Sequence, residues 1–460
     1  MGHIRAVLYK FGDEIGLKTL VKSSSDVFII ICLRMIRLVG FGATSLILAL
    51  YLNEISFDEE SIGFFMTITF VGDLISSFIL AVAADRIGRK NVLILSSIVM
   101  SLTGVCFFAL ENKLILTVVA FVGILTPSGG EVGPFRSVEQ SSIASIAPYE
   151  QRSDVYAWYT FLGTFCAALG SVLSGKLIDY CNKVLEYPLI KSYKMVFLGY
   201  TLLSILTLVL SCFLSHKVEW STEVASEESG QIDNEREGEP SEASQLLSGT
   251  SSKDHKKHSK QWKFLPSLDL SVLVLVTKLS LLFALDSFAS SLVPMSWQSY
   301  YIKYKFNALA TYLGSIFFVT GIVSGFMSLL GTSLNKRLGP VVTMVVTHLP
   351  ASILLALVPL PNSLSLTMAI LVIRASTQTM DVAPKHVFLA TIVPPESRTA
   401  IFGWVNVVKT LAQVVGPSIV GILTHHNSQW ISFVIAGVLK ATYDIGILGT
   451  FLAFNRHQQH

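Results

Sequence analysis

The chain is a succession of long apolar runs separated by short polar breaks. About 20 consecutive apolar residues carry an α-helix across the hydrocarbon of a bilayer. On that measure the pattern predicts spans at 27–52, 61–84, 91–110, 114–142, 154–178 and 193–215, then at 268–299, 309–333, 340–360, 363–391, 399–423 and 430–454. The runs are too long and too continuous for the short alternating strands of a membrane barrel. An all-α membrane protein of twelve transmembrane helices is expected.

One stretch breaks the pattern. Residues 216–265 are rich in Ser, Glu and Lys, with an acidic block followed by the basic run Lys253-Asp254-His255-Lys256-Lys257-His258-Ser259-Lys260. Such a segment has too little apolar surface to offset the entropy of ordering it, so it is expected to be a disordered linker. On either side of it the chain repeats itself. Pro148-Tyr149-Glu150-Gln151-Arg152-Ser153 is followed by Trp158, Gly170 and Gly175; Pro394-Pro395-Glu396-Ser397-Arg398-Thr399 is followed at the same spacing by Trp404, Gly416 and Gly421. A repeat of this kind implies two pseudo-symmetric six-helix halves, 27–215 and 266–455, flanked by an N-terminal segment 1–26 and a tail 456–460.

Composition sharpens the class. Hydrophobic residues make up 52% of the 460 positions and charged residues 14%, well below a soluble domain. The net charge of +3 matters less than its placement. Lys and Arg concentrate in the segments on the side of the N-terminus, and Asn53–Glu60 on the other side is acidic, which puts both termini in the cytoplasm. The first apolar run is long enough to span, so no cleavable leader is expected. The 5 cysteines show no metal or redox spacing. No phosphate-binding loop, nucleophile–base pair or metal cluster is visible, so neither an ATP-driven pump nor an enzyme is expected, and no cofactor.

Ala84-Asp85-Arg86-Ile87-Gly88-Arg89-Lys90, between the second and third spans, resembles the signature loop of the major facilitator superfamily, with Arg337-Leu338-Gly339 echoing it in the second half. The signature's usual opening Gly is Ala81 here, and the second copy lacks the acidic residue. The resemblance covers the whole membrane portion. It implies a secondary transporter working by alternating access, with the first, fourth, seventh and tenth spans lining a central cavity and Asp85, Arg86, Gly88 and Arg89 acting in gating.

An ionised side chain in hydrocarbon costs about 2.5–3.5 kcal/mol on insertion scales, so it should face a cavity or a partner. The four cavity spans hold most such charges. Arg34, Arg37, Arg136, Lys278, Arg374 and Lys385, with Gln378, are the candidate substrate-binding residues; Glu131, Glu139, Asp286 and Asp381 are the candidate proton carriers. Arg374, Gln378, Asp381 and Lys385 share one helical stripe, and Pro134 is expected to bend the fourth span. Cations outnumber acids, which favours an anionic or zwitterionic solute, since a guanidinium donates to carboxylate or phosphate as a fork. Lys440 and Asp444, spaced i, i+4, are expected to neutralise each other. Asp73 and Lys409 have no such partner on their own helices and are expected to pair across the seam between halves in one state of the cycle.

The expected activity is therefore proton-coupled secondary transport of a small anionic or zwitterionic solute by a monomer in the bilayer, with no nucleic-acid partner. A drug antiporter of the same superfamily or a solute sensor on the same fold are the alternatives. Glu242-Ala243-Ser244-Gln245-Leu246-Leu247 matches an acidic dileucine sorting signal, which points to an endosomal or vacuolar (lysosomal) membrane, with the plasma membrane as the default. In a eukaryotic cell, Leu246→Ala/Leu247→Ala should move tagged protein to the cell surface, as imaged against endosomal and surface markers; an unchanged distribution would rule out the dileucine as a sorting signal and leave the plasma membrane as the default.

Overall fold

The computed structural model describes residues 17–130, 134–219, 270–381, 384–385 and 398–458. Glu131, the linker from 220 onward with its dileucine sequence, and the side chain of Asp85 lie outside the described residues. The first half contains α1 (Leu17–Lys22), α2 (Ser25–Glu54), α3 (Glu59–Ile87), α4 (Arg89–Ala109), α5 (Lys113–Val122), α6 (Pro134–Ile146), α7 (Tyr149–Lys183) and α8 (Leu189–Cys212). The second contains α9 (Leu270–Ser291), α10 (Met295–Phe306), α11 (Ala310–Leu338), α12 (Pro340–Leu357), α13 (Leu364–Thr377), α14 (Arg398–His425) and α15 (Trp430–Gln458). Among the described residues, 10 spans are long and apolar enough to cross a membrane, with α9 and α10 together forming one of them; α5 and α13 are shorter apolar helices.

Those two short helices mark a departure from the expected continuous spans. The fourth span stops at Val122, and Pro134 opens α6 rather than bending one long helix. Proline suits a first helical turn, where its missing N–H would have no partner in any case. Between them, Gly129 takes φ 71°, and side chains satisfy both backbone groups of Ile124 inside the break. The Ile124 amide donates to Thr103 Oγ1 at 3.2 Å, and its carbonyl accepts from the Tyr200 hydroxyl at 2.5 Å. In the tenth span α13 likewise ends at Thr377 and passes into a turn over 378–381. Glu131-Val132-Gly133-Pro134 and Asp381-Val382-Ala383-Pro384 share an acidic-Val-small-Pro pattern, the sequence signal for both interruptions.

The repeated glycines lie where helices meet. A Cβ on Gly170 would come within 2.0 Å of the Val39 carbonyl oxygen of α2, and one on Gly416 within 2.0 Å of Ser291 Oγ of α9, equivalent contacts inside each half. Gly175 and Gly421 serve the two seams between halves. A Cβ on Gly175 would sit 2.3 Å from the Ala310 carbonyl oxygen at the start of α11, and one on Gly421 2.6 Å from that of Glu59 at the start of α3. Gly88 and Gly339 adopt φ 93° and 77° in the tight links α3–α4 and α11–α12, a region that L side chains rarely enter.

Among the described residues, the hydrogen bonds that join the halves lie between the midplane and the side opposite the chain ends, the far side. Ser296 Oγ donates to the carbonyls of Ser45 and Pro127, both at 2.8 Å, and Ser299 Oγ to that of Leu46 at 2.6 Å. Thr67 Oγ1 donates to the Val414 carbonyl at 3.0 Å, and the Thr311 amide to Asp179 at 3.0 Å. At the rim, the hydroxyl of Tyr300 donates to Glu59 and that of Tyr304 to Asn53, while His425 lies 3.6 Å from Glu59. The structure is thus latched on its far side. Gly421→Val should wedge α3 from α14 there. A Thr67→Cys probe in a cysteine-free background should then react several-fold faster with a membrane-impermeant maleimide added from the far side, a shift of population toward the state open on that side.

Candidate solute site

A cavity of about 380 Å³ lies between the halves beneath that latch. Its walls come from Ser128 in the break of the fourth span, from α7, from the α9–α10 junction, and from α11, α13 and α15. A side chamber of about 170 Å³, bounded by His348 and Ser352 of α12, shares Ser290, Arg374, Gln378, Thr379 and Lys440 with it. The floor of the main cavity mixes hydroxyls with the apolar surfaces of Met295, Phe317 and Leu371. Among the described lining residues of the two spaces there is no carboxylate, while Arg374 and Lys440 are both present.

Arg374 stands one turn before α13 ends, so the chain turns aside just past it and leaves its side chain facing the cavity. Its Nε is buried with no hydrogen-bond partner, and no hydrogen bond or ion pair to the guanidinium is found among the described residues. Gln378 is positioned by donating from Nε2 to Ser324 Oγ at 3.1 Å, and Thr379 Oγ1 donates to the Ser324 carbonyl at 2.9 Å, which ties the interrupted span to α11.

Behind the cavity wall a buried charge network joins α9, α12, α15 and the end of the tenth span. Lys440 Nζ donates to Asp286 Oδ1 at 2.6 Å and to Ser290 Oγ at 2.7 Å; Lys385 Nζ reaches Asp286 Oδ2 and Asp381 Oδ2, both at 3.0 Å. His348 Nδ1 lies 2.8 Å from Asp444 Oδ1, and its Nε2 3.8 Å from Asp286 Oδ1. Ser352 Oγ donates to Asp444 Oδ2 at 3.2 Å. The expected Lys440–Asp444 pair is therefore not formed. Each finds a closer partner on another helix, because in a packed bundle the charge across the interface competes with the one a turn away.

In the first half the candidate charges form a separate clamp. Arg37 donates from both terminal nitrogens to the two oxygens of Glu139 at 2.8 Å, and the Tyr159 hydroxyl adds a bond to Glu139 Oε2 at 2.7 Å. The Arg37 guanidinium lies 4.0 Å from the Phe135 ring centroid and that of Arg34 3.9 Å from the Tyr159 ring. Arg136 and Lys278 are exposed. Of the substrate-binding candidates, Arg374 and Gln378 line the cavity, and Lys385 is held by the two aspartates. The sequence pattern did not single out His348 or Ser290, and it set Lys440 aside as neutralised by Asp444. The signal for His348 was a lone imidazole in an otherwise apolar ninth span, outside the four spans searched.

The gating candidates occupy the terminal side. Arg89 is buried and donates to the Ser141 carbonyl, Ser145 Oγ and the Val218 carbonyl, and Glu219 accepts from the Arg89 and Lys90 amides at 2.7 and 3.2 Å. The first residues of the stretch read as linker, 216–219, thus cap α4 and pack on the first half. Arg86 is exposed. Among the described residues the Asp73 carboxylate accepts from Ser77, at 3.5 Å, and no ion pair joins it to Lys409, whose electrostatic neighbours are Lys385, Asp286, Arg136 and Asp381. Among the described residues, the α3–α14 hydrogen bonds end at Thr67, six residues short of Asp73.

Interrupted helices facing a cavity between pseudo-symmetric halves are the architecture of a secondary transporter. The sequence profile of the Major Facilitator Superfamily matches residues 30–276 and 279–459, and the chain belongs to that family. It is 32% identical over 436 residues to an uncharacterized membrane protein of Saccharomyces cerevisiae, YJR124C, covering 94% of this chain and 95% of that one. Among solved structures it resembles a bacterial homolog of the human lysosomal transporter Spinster in an inward-facing, unoccupied conformation. That match has TM-score 0.63 and 14% identity over 93% of this chain and 97% of the other. A D-xylose-proton symporter gives TM-score 0.65 and 13% identity, over 92% and 97%.

Removing one member of a buried ion pair costs about 3–5 kcal/mol, because the other charge stays buried alone. Glu139→Ala should therefore lower the thermal midpoint of the detergent-solubilised protein markedly, whereas Arg374→Ala should leave it unchanged or raise it. Equal losses in both variants would mean that Arg374 too is a clamp.

Proposed function

We propose that this transporter carries a small organic anion, or a zwitterion with a carboxylate or phosphate, coupled to protons. The observation that carries the reading is the unpartnered Arg374 guanidinium in a cavity whose described walls hold no carboxylate. An unpaired buried cation is expensive, and a bound anion would remove that cost while accepting a fork of charge-assisted hydrogen bonds. Gln378, Gln298 and the surrounding hydroxyls would supply the remaining donors, and Phe317 and Leu371 would cover an apolar body. With both termini in the cytoplasm, the far-side latch makes the present arrangement inward-facing. The opposite state would bring Asp73 and Lys409 together as the terminal side closes. The protein would work as a monomer in an endosomal, vacuolar or plasma membrane.

Purified protein in proteoliposomes should accumulate at least one member of a panel of radiolabelled organic anions, faster with an imposed pH gradient than without. Arg374→Ala should reduce that uptake by about 10- to 100-fold, the worth of hydrogen bonds to a charged group of about 1.5–3 kcal/mol. Uptake confined to neutral or cationic compounds would overturn the reading.

A further inference from the structure

We propose that the His348–Asp444 pair is the proton site of the transport cycle, and that a proton there and an anion at Arg374 favour each other's binding, which makes the coupling symport. This rests on the anion reading above. It starts from the partners of each carboxylate in the buried network. Asp286 receives two lysines and Asp381 receives one of them, so both acids are already compensated by ammonium groups. Asp444 has no lysine partner: its contacts are His348 Nδ1 at 2.8 Å and Ser352 Oγ at 3.2 Å. Three carboxylates and two ammonium groups in direct contact lack one positive charge, and a proton on His348 supplies it. Losing that proton would leave the Asp444 carboxylate hydrogen-bonded to Ser352 but with no cation against it, a buried charge without a counter-ion.

The surroundings of His348 are closed on the charge side. From α15 it meets Asp444, Lys440 and the edge of the Tyr443 ring, at 5.8 Å between centroids. From α9 it meets Asp286, and from the tenth span Arg374 across the side chamber, with Asp381 and Lys385 behind Asp286. Its other neighbour, α11, carries its titratable groups, Tyr312, Lys336 and Arg337, only near its two ends. Lys409 and Arg136 make no ion pair with the three carboxylates among the described residues. His348 lines the side chamber, which shares Ser290, Arg374, Gln378, Thr379 and Lys440 with the solute cavity, so the imidazole stands one residue layer from the solute space.

The sign of the coupling follows from Arg374. Its charge faces the same chamber as His348 and opposes protonation of the ring. An anion bound at the guanidinium cancels that opposition, so anion binding promotes protonation, and by linkage protonation tightens anion binding by the same factor. Opposed binding, as in antiport, would require a negative coupling between the two sites, whereas a proton on the imidazole and an anion on the guanidinium carry opposite charges into one chamber and attract.

The test needs no identified solute. Full-length protein selectively labelled with ¹⁵N-histidine, in nanodiscs, is titrated from pH 5 to 9 by NMR, with the His348 signal assigned by its loss in His348→Gln. The ring should titrate within this range. Asp444→Asn should lower its midpoint by about one unit or more, as expected for loss of a contacting carboxylate. Arg374→Gln, which imitates neutralisation by an anion, should raise it by about half a unit or more. A ring fixed in one protonation state across the range, or a midpoint that Arg374→Gln leaves in place, would overturn the proposal. Failure of the anion reading would show separately, in the uptake panel.

Discussion

Asp286 receives Lys440 on one oxygen and Lys385 on the other, and through Lys385 is joined to Asp381. Three separate spans are thereby pinned around one carboxylate in a region with little water to substitute for a missing partner. Remove that carboxylate and two ammonium groups are left buried with one contacting acid, Asp381, between them, so Lys440 loses its counter-ion. The wall of the cavity therefore depends on it: Lys440 and Ser290, which line the space, are held where they are by the same network.

The two halves share a plan and divide the labour. Equivalent glycines pack each half internally and equivalent glycines close the two seams, so the scaffold is pseudo-symmetric. The charges are not. In the first half Arg37 closes on Glu139 with two hydrogen bonds, and Tyr159 adds a third to the carboxylate. In the second half the guanidinium of Arg374 is left over, facing the cavity. One half behaves as a rigid frame and the other presents the chemistry. Interrupted helices serve this arrangement, because a backbone that turns aside inside the bundle frees polar groups and places side chains that a straight helix would point at a neighbour.

The far-side latch has the character of a reversible contact. It is made of hydroxyls on carbonyls and of tyrosines on Glu59 and Asn53, bonds that exchange for water at modest net cost. The glycine contacts beneath it allow close approach without interlocking large side chains. Two halves joined in this way can separate and re-form without disturbing the buried ion pairs, which lie within each half.

The apolar period, the linker composition and the internal repeat determined the class of this protein. Hydrocarbon length and the cost of unpaired backbone leave an α-helical bundle as the one arrangement for runs of that kind, and the signature loop with its echo carried the family. The repeat also anticipated the close helix contacts: Gly170, Gly175, Gly416 and Gly421 recur in sequence because backbone approaches backbone at each. The candidate site was legible only in part. Arg374 and Gln378 on their stripe were found, but the spacing along one helix cannot tell which of several charges meets a partner on another. Only the packing decided that Arg37 closes on Glu139, that Lys440 reaches Asp286 rather than Asp444, and that His348 supplies the missing partner. Pairing in a bundle is set by distances across helices, and these depend on how every span is rotated and interrupted, which no single span encodes.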